Sequence, residues 1–176
     1  MQILAVSGSL RDKSSNTILL QAMIRLAPNN VKIELYQELG DLPHFNPDLD
    51  TEDDTPLFVA SLRRQVKSAN GVLISSPEYA HGVPGALKNA LDWLVSSGET
   101  VDKPLVLVNT SPRAHHAQEQ LVEILKTMAA KVYTEASINV PLAGRNLDET
   151  GIVADAELSG LLRSIIAEFA TSIGDR

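Results

Sequence analysis

A doubly wound, five-stranded parallel α/β sheet with helices on both faces is the fold this sequence predicts, and three observations predict it. Short apolar runs recur at Gln2–Ser7, Gly71–Ile74 and Pro104–Asn109, as expected of parallel strands buried on both faces. Between them lie segments whose apolar residues return every three or four positions, the helical period. Strand and helix alternate along the chain, the pattern of a parallel sheet wrapped by helices.

Taken in order, Gln2–Ser7 is the first buried strand and ends in Gly8-Ser9. The loop Gly8 to Thr17 leads to a helix marked by Ile18, Leu19, Ala22, Met23 and Leu26. In the second strand Val31, Ile33 and Leu35 alternate with Lys32 and Glu34, so one face is wet and the strand belongs at a sheet edge. From Tyr36 to Pro56 three prolines and a run of acids forbid a helix of any length. The apolar part of that segment, Leu42-Pro43-His44-Phe45, reads equally as a plug over the end of the sheet or as a ligand wall. Phe58, Leu62, Val66 and Ala69 mark the next helix, followed by the central strand at Gly71. After the loop Pro77–Gly82, a helix carries the stripe Val83, Ala86, Leu87, Ala90, Leu91 and Leu94, with Pro84 in its tolerated first-turn place. A fourth strand, Pro104–Asn109, ends in a loop from Thr110 to His116, and a helix runs from Gln118 to Ala129. A fifth strand lies within Lys131–Val140, and the last helix shows Leu158, Leu161, Leu162, Ile165, Phe169 and Ile173 in register.

Five strands and five helices in this sequence suit the flavodoxin-like order 2-1-3-4-5, whose switch point lies between strands 1 and 3. The loops Ser9–Thr17 and Pro77–Gly82 then face each other across one crevice, flanked by the loop at Thr110. In the first loop, short hydroxyl and amide side chains, Arg11, Lys13 and a helix N-terminus make the ingredients of a phosphate cradle. The plainer reading is that one of Ser14, Ser15, Asn16 and Thr17 caps the helix. A cap needs one such residue and the loop carries several, which favours anion binding. The loop Pro77–Gly82 reads either as a simple connection or as a ligand site. Neither GxGxxG nor a GK[ST] P-loop occurs, which argues against a Rossmann dinucleotide site and against an NTPase.

The totals set outer bounds. A chain of 176 residues, 44% hydrophobic and 21% charged, suits one globular domain over 1–176. No apolar run approaches the roughly 20 residues that span a bilayer, and the first residues lack the pattern of a signal peptide. The expectation is a cytoplasmic protein with no membrane partner. With no cysteine there is neither thiolate chemistry nor a dithiol, so any redox chemistry belongs to a cofactor. A net charge of −7 with scattered cations offers no footprint for nucleic acid.

The pair GSLRDKSSNT and SPEYAHGVPGALKNALDW, with LPHFNPDLD between them, resembles the NAD(P)H-dependent FMN reductase family, with its quinone, chromate and azo-dye reductases. The resemblance implies a noncovalent FMN with NADPH or NADH as co-substrate. It places the FMN phosphate in the first loop, onto which Ser9, Arg11, Ser14, Asn16 and Thr17 map. It places the isoalloxazine against Pro77, Glu78, Tyr79, Ala80 and His81, with Ser111 and Arg113 at the ring's other edge. The acceptor it implies is a small molecule: a quinone, an azo compound, a metal oxyanion or free flavin. A homodimer or homotetramer is implied too. Because the flavin carries the chemistry and only one crevice is expected, ping-pong exchange follows, with no protein acid or base required. Two departures stand out, since many relatives have Asn where this chain has Ala80, and glycines where it has His115 and His116.

The alternative in another class is an FMN-binding electron carrier for a protein partner, and a further one is a domain that has kept the fold but lost the flavin. His115-His116 lacks a third ligand at metal spacing and is read as no metal site. Glu78 is read as a loop anchor rather than a general base. Trp93, at the rim of its helix's stripe, is expected in a subunit contact.

Overall fold

The computed structural model describes residues 1–176 apart from 112–114, 135–136, 143 and 175–176. Its sheet has five parallel strands in the order β2-β1-β3-β4-β5, with β1 Gln2–Ser7, β2 Lys32–Leu35, β3 Gly71–Ser75, β4 Pro104–Leu107 and β5 Lys131–Val132. The helices are α1 Ser15–Leu26, α2 Leu57–Ser68, α3 Gly85–Val95, α4 His115–Thr127, α5 Glu149–Ala154 and α6 Ala156–Gly174. The predicted strand order is the observed one. The half-wet β2 is at the edge, as its alternation requires.

Successive residues of a strand face opposite sides, so each apolar strand feeds two cores. Ile3, Ala5, Leu73 and Val106 pack with α1, α5 and α6, through Leu19, Met23, Ile152, Leu162 and Phe169 among others. Leu4, Val6, Val72, Ile74, Leu105 and Leu107 pack on the other face with Leu62, Leu91, Trp93 and Leu125 from α2, α3 and α4. This is why the central strands read as unbroken apolar runs.

Four expectations need correction. The fifth strand is only Lys131–Val132, and farther along an isolated parallel bridge pairs Asn109 with Asn139. The chain there is held by single backbone bonds, Asn109 N–H to the Ile138 carbonyl and Val140 N–H to the Asn109 carbonyl. The helix at 149–154 was not foreseen, because six residues give too little periodicity to read. The fourth helix starts at His115 rather than Gln118, so both histidines belong to its first turn instead of the loop.

Trp93 is fully buried and is no subunit contact. Its indole N–H donates to the Pro43 carbonyl at 2.8 Å, and Phe45 packs edge-on at 5.0 Å between ring centroids. Asn89 holds the same segment twice, donating to the Pro43 carbonyl and accepting from the Phe45 N–H. Asp50 closes it farther along by pairing with Arg63 at 2.7 Å. The segment Tyr36–Pro56 contains two short 3-10 turns, Leu39–Asp41 and Pro47–Leu49, and its apolar part covers α3.

At the top of the sheet β1 and β3 are in register from Ile3 opposite Gly71 to Ser7 opposite Ser75. The next residue, Gly8, donates its N–H to the Ser75 carbonyl at 2.8 Å. A β-carbon at Gly8 would lie 2.5 Å from Ser76 Oγ, 2.9 Å from Ser76 Cβ and 3.0 Å from a Leu87 methyl. Only glycine lets the two loops approach so closely. Gly8→Ala is expected to cost about 1–3 kcal/mol, the usual range for overpacking, read as a lower urea midpoint at unchanged slope. An unchanged midpoint would show that the loops can part at no cost.

Candidate functional site

Parallel sheets of this order leave a crevice where the carboxyl ends of neighbouring strands diverge. Here the polar side chains gather at that end. Of the nine buried polar residues among those described, all but Thr100 lie there: Ser7, Ser9, Ser14, Asn16, Ser75, Ser76, Asn109 and Thr110. Buried hydroxyls and amides are costly unless bonded, so such a concentration marks a built surface rather than a leftover.

The bonds are specific. Ser75 Oγ, at the end of β3, donates to Asn16 Oδ1 in α1 at 2.9 Å. Thr110 Oγ1, just past β4, reaches the same oxygen at 3.4 Å and shares a hydrogen bond with Ser15 Oγ at 3.1 Å. Asn16 therefore ties together the ends of three elements. Ser7 and Thr17 bond hydroxyl to hydroxyl at 2.7 Å, locking α1 onto the end of β1. Asn109 Oδ1 accepts the Ser111 N–H at 3.0 Å and shapes the loop beyond β4.

These residues border a cavity of about 280 Å3 lined by Ser15, Asn16, Pro77, Glu78, Asn109, Thr110 and Ser111. Three separate loops thus meet at one opening, as the switch-point argument requires. At its α1 side, Ser14 occupies the N-cap position but makes no side-chain cap bond. The expectation that one of the loop's polar side chains caps the helix is met in position only. The first-turn amides and their partial positive charge remain available to an anion. Ser9 is buried with its hydroxyl accepting the Arg11 N–H at 3.3 Å. Arg11 is exposed and makes no ion pair among the described residues.

The other wall is a tight hairpin. Tyr79 and Gly82 exchange both backbone bonds, at 3.1 and 3.0 Å, around Ala80 and His81 with φ of 49° and 60°. Both central residues are left-handed, the requirement of a type I′ turn, where Asn-Gly is favoured over the pair found here. Left-handed geometry costs about 1–2 kcal/mol for an ordinary residue, so something must hold it. Gln120 of α4 donates to the His81 carbonyl at 3.0 Å, and His81 Nδ1 lies 3.2 Å from Glu78 Oε1. Glu78 Oε2 accepts the Ala117 N–H at 2.9 Å, in the first turn of α4. One carboxylate thus caps α4 from another loop and steadies the hairpin. The Ala117 amide above all, then the neighbouring histidines His116, His81 and His115, hold its carboxyl below the usual carboxylate range, against partial desolvation. His116 packs edge-on against His81 at 4.6 Å between ring centroids and lies 4.0 Å from His115.

Of the residues singled out from the sequence, Asn16, Pro77, Glu78 and Ser111 line the cavity together. Ser9 and Ser14 are buried beside the α1 start, and Arg11 borders a second, adjoining cavity. Thr17 turns to Ser7. Tyr79, Ala80 and His81 form the exposed hairpin at the rim, with Tyr79 52% exposed. Arg113 lies outside the described residues. Ser15 was named from sequence only among the polar residues of the first loop, and Ser75, Asn109 and Thr110 were not singled out; these three follow directly on apolar strand runs, where small polar residues were the available signal.

Comparison with known proteins places the chain. The model of the family described as NADPH-dependent FMN reductase matches residues 1–144. A quinone reductase of Escherichia coli K12 is 32% identical over 164 residues, covering 88% of this chain and 86% of the relative. The NADH:(hydroxy)cinnamate reductase subunit CrdA of Vibrio ruber is 33% identical, covering 96% and 85%. Among solved structures, the flavoenzyme NAD(P)H:(acceptor) oxidoreductase FerB of Paracoccus denitrificans superposes with a TM-score of 0.87 at 28% identity, covering 99% and 97%.

Glu78→Gln tests the clamp. A carboxyl held low in the fold stabilises fully above its ordinary value of 4.5, and that contribution is lost as pH falls through the lower folded value. The variant is expected to have a lower urea midpoint than the parent at pH 7 and a smaller deficit at pH 3. An equal deficit at both would mean that the charge itself contributes nothing.

Proposed function

The chain belongs to the NADPH-dependent FMN reductase family, an oxidoreductase family, and from that premise we propose that it binds FMN noncovalently and uses NADPH or NADH to reduce small-molecule acceptors. Quinones head the list, with azo compounds, metal oxyanions and free flavin of the same chemical permissiveness. The single observation that carries the reading is the convergence of Asn16, Pro77, Glu78 and Ser111 on one cavity beside a helix N-terminus without a side-chain cap.

The residues fit the cofactor. A dianionic phosphate needs short donors, backbone amides and a cation, and Ser9, Ser14, the first turn of α1 and Arg11 provide them. Asn16 and Thr17 serve differently, holding α1 in place through Ser75, Thr110 and Ser7. Pro77, Glu78, Tyr79, Ala80 and His81 give a rigid, largely backbone wall for a flat ring, with Ser111 and Arg113 at its far edge. When bound, FMN supplies the hydride chemistry that this cysteine-free chain lacks. The polypeptide's share is to orient the ring, exclude water from one face and leave the other open. Reductant and acceptor take turns at the same crevice, which is ping-pong exchange.

We propose in addition that the protein self-associates as a homodimer or homotetramer. The supporting feature is an apolar groove of about 410 Å3 between α3 and α4, with Val95, Val101, Ile124 and Met128 in its lining. Val95 is 61% and Val101 55% exposed and both line this groove, and apolar surface gathered at one concave site is a mark of an interaction surface.

Mixing the protein with FMN and adding NADPH anaerobically is expected to bleach the flavin band, and benzoquinone to restore it. Bound flavin that neither dinucleotide reduces would overturn the enzyme reading in favour of an electron carrier. Parallel double-reciprocal lines are expected, and intersecting ones would exclude ping-pong. Sedimentation of the parent should give a multimer that Val95→Asp with Val101→Asp shifts toward monomer; a monomeric parent would refute self-association.

A further inference from the structure

The hairpin beside the crevice runs against its own residue types. Its two central residues, Ala80 and His81, both have left-handed φ, 49° and 60°, and neither is the Gly or Asn that such positions favour. Left-handed backbone brings the β-carbon of an ordinary residue too close to the following carbonyl oxygen, so the pair left to itself visits other conformers. The two bonds between Tyr79 and Gly82 close the turn but belong to the turn itself, and a lone hairpin is marginally stable in water. Its shape therefore depends on what it touches.

What it touches is one face of α4. Ala117 and Gln120 stand three residues apart, which makes them neighbours on that helix's surface. At the base of the hairpin Glu78 accepts the Ala117 N–H at 2.9 Å. At its tip the Gln120 side chain lies across the second half of the turn. Its Nε2 donates to the His81 carbonyl at 3.0 Å, and its Oε1 would stand 3.6 Å from a β-carbon on Gly82, an ordinary packing distance. Glu78 and the ring of His116 engage the side chain of His81. Among the described residues, Gln120 is the only side chain that bonds the backbone of the left-handed pair.

We propose that Gln120 is a positioning residue for the flavin ring, holding the Tyr79–Gly82 hairpin from α4 in the left-handed form that makes it a flat wall. This rests on the flavin reductase reading of the crevice. Gln120 does not line the crevice cavity, so it acts through the hairpin rather than on the ligand. The role belongs to its N–H donor and not to its bulk, since the atom it serves is a carbonyl oxygen. A wall that adopts the binding form only part of the time weakens apparent affinity by that fraction. Gln120 is exposed and belongs to neither core, so its loss is felt in flavin binding rather than in global stability.

The test is titration of FMN by its fluorescence, set beside urea unfolding of the flavin-free chain. Gln120→Ala and the near-isosteric Gln120→Glu, which when ionised only accepts, are expected to raise the FMN dissociation constant about threefold to tenfold, the scale of one hydrogen bond. Their urea midpoints should stay close to the parent's. Gln120→Lys keeps a donor and should hold the constant within about twofold of the parent on that scale. Ala80→Gly removes the steric objection at one left-handed position of an exposed residue, so adding it to Gln120→Ala should restore most of the affinity. Equal effects of Gln120→Glu and Gln120→Lys would refute the donor role. A Gln120→Ala defect that Ala80→Gly leaves untouched, or one matched by a fall in urea midpoint, would overturn positioning through the hairpin. Failure of the flavin reading appears separately, as a parent that binds no FMN. Amide hydrogen exchange on the flavin-free chain then still decides: Gln120→Ala is expected to speed exchange at the bonded Tyr79 and Gly82 amides, and unchanged protection would refute the tie.

Discussion

The close approach of the β1 loop to the end of β3 governs the rest of the site. Gly8 donates to the Ser75 carbonyl, Ser75 donates from its hydroxyl to Asn16, and Asn16 also receives Thr110. Those three contacts bring the ends of β1, β3 and β4 into one rigid frame. Because the oxygen of Asn16 is shared within a buried setting, a loss at any member would strand the others without partners. The cavity exists because these side chains bond to one another around its floor and leave its mouth to the loops.

The second organising feature is electrostatic. The chain carries a net charge of −7, yet at the start of α1 the N-cap Ser14 makes no side-chain cap bond, and Arg11 and Lys13 beside it make no ion pair among the described residues. Opposite them, Glu78 spends its charge internally on α4 and His81, so the acid nearest the crevice is already partnered. The two sides of the crevice thus differ in kind. One offers donors to an anion, and the other offers a stiff wall whose strained turn is kept in place by α4. Ala80 is the first central residue of that turn, and its φ of 49° makes backbone conformation the constraint at that position.

The parts of the fold that were legible are those in which burial on two faces leaves a simple mark. β1, β3 and β4 read as unbroken apolar runs because both cores claim alternate residues, and the edge position of β2 follows from Lys32 and Glu34. The parts that were not legible depend on partners distant in the chain. Trp93 belongs to the inner stripe of α3 only because the Tyr36–Pro56 segment folds over it and offers the Pro43 carbonyl; by helical position alone it stood at the rim. The fifth strand is short because the chain past Val132 is held to Asn109 by single bonds rather than a ladder.

Sequence by itself determined the sheet order, the location of the crevice, the exclusion of thiol chemistry and the family, because periodicity, residue type and motif spacing are local properties of the chain. Tertiary structure decided which polar residues face the crevice and which support it. Ser14, Ser15, Asn16 and Thr17 are consecutive and chemically alike, yet one stands at the helix cap without capping it, one borders two cavities, one ties the ends of β3 and β4 to α1 and one locks α1 to β1. A helix turns each successive side chain by about 100°, and only the packed neighbours Ser7, Ser75 and Thr110 assign a role to each direction.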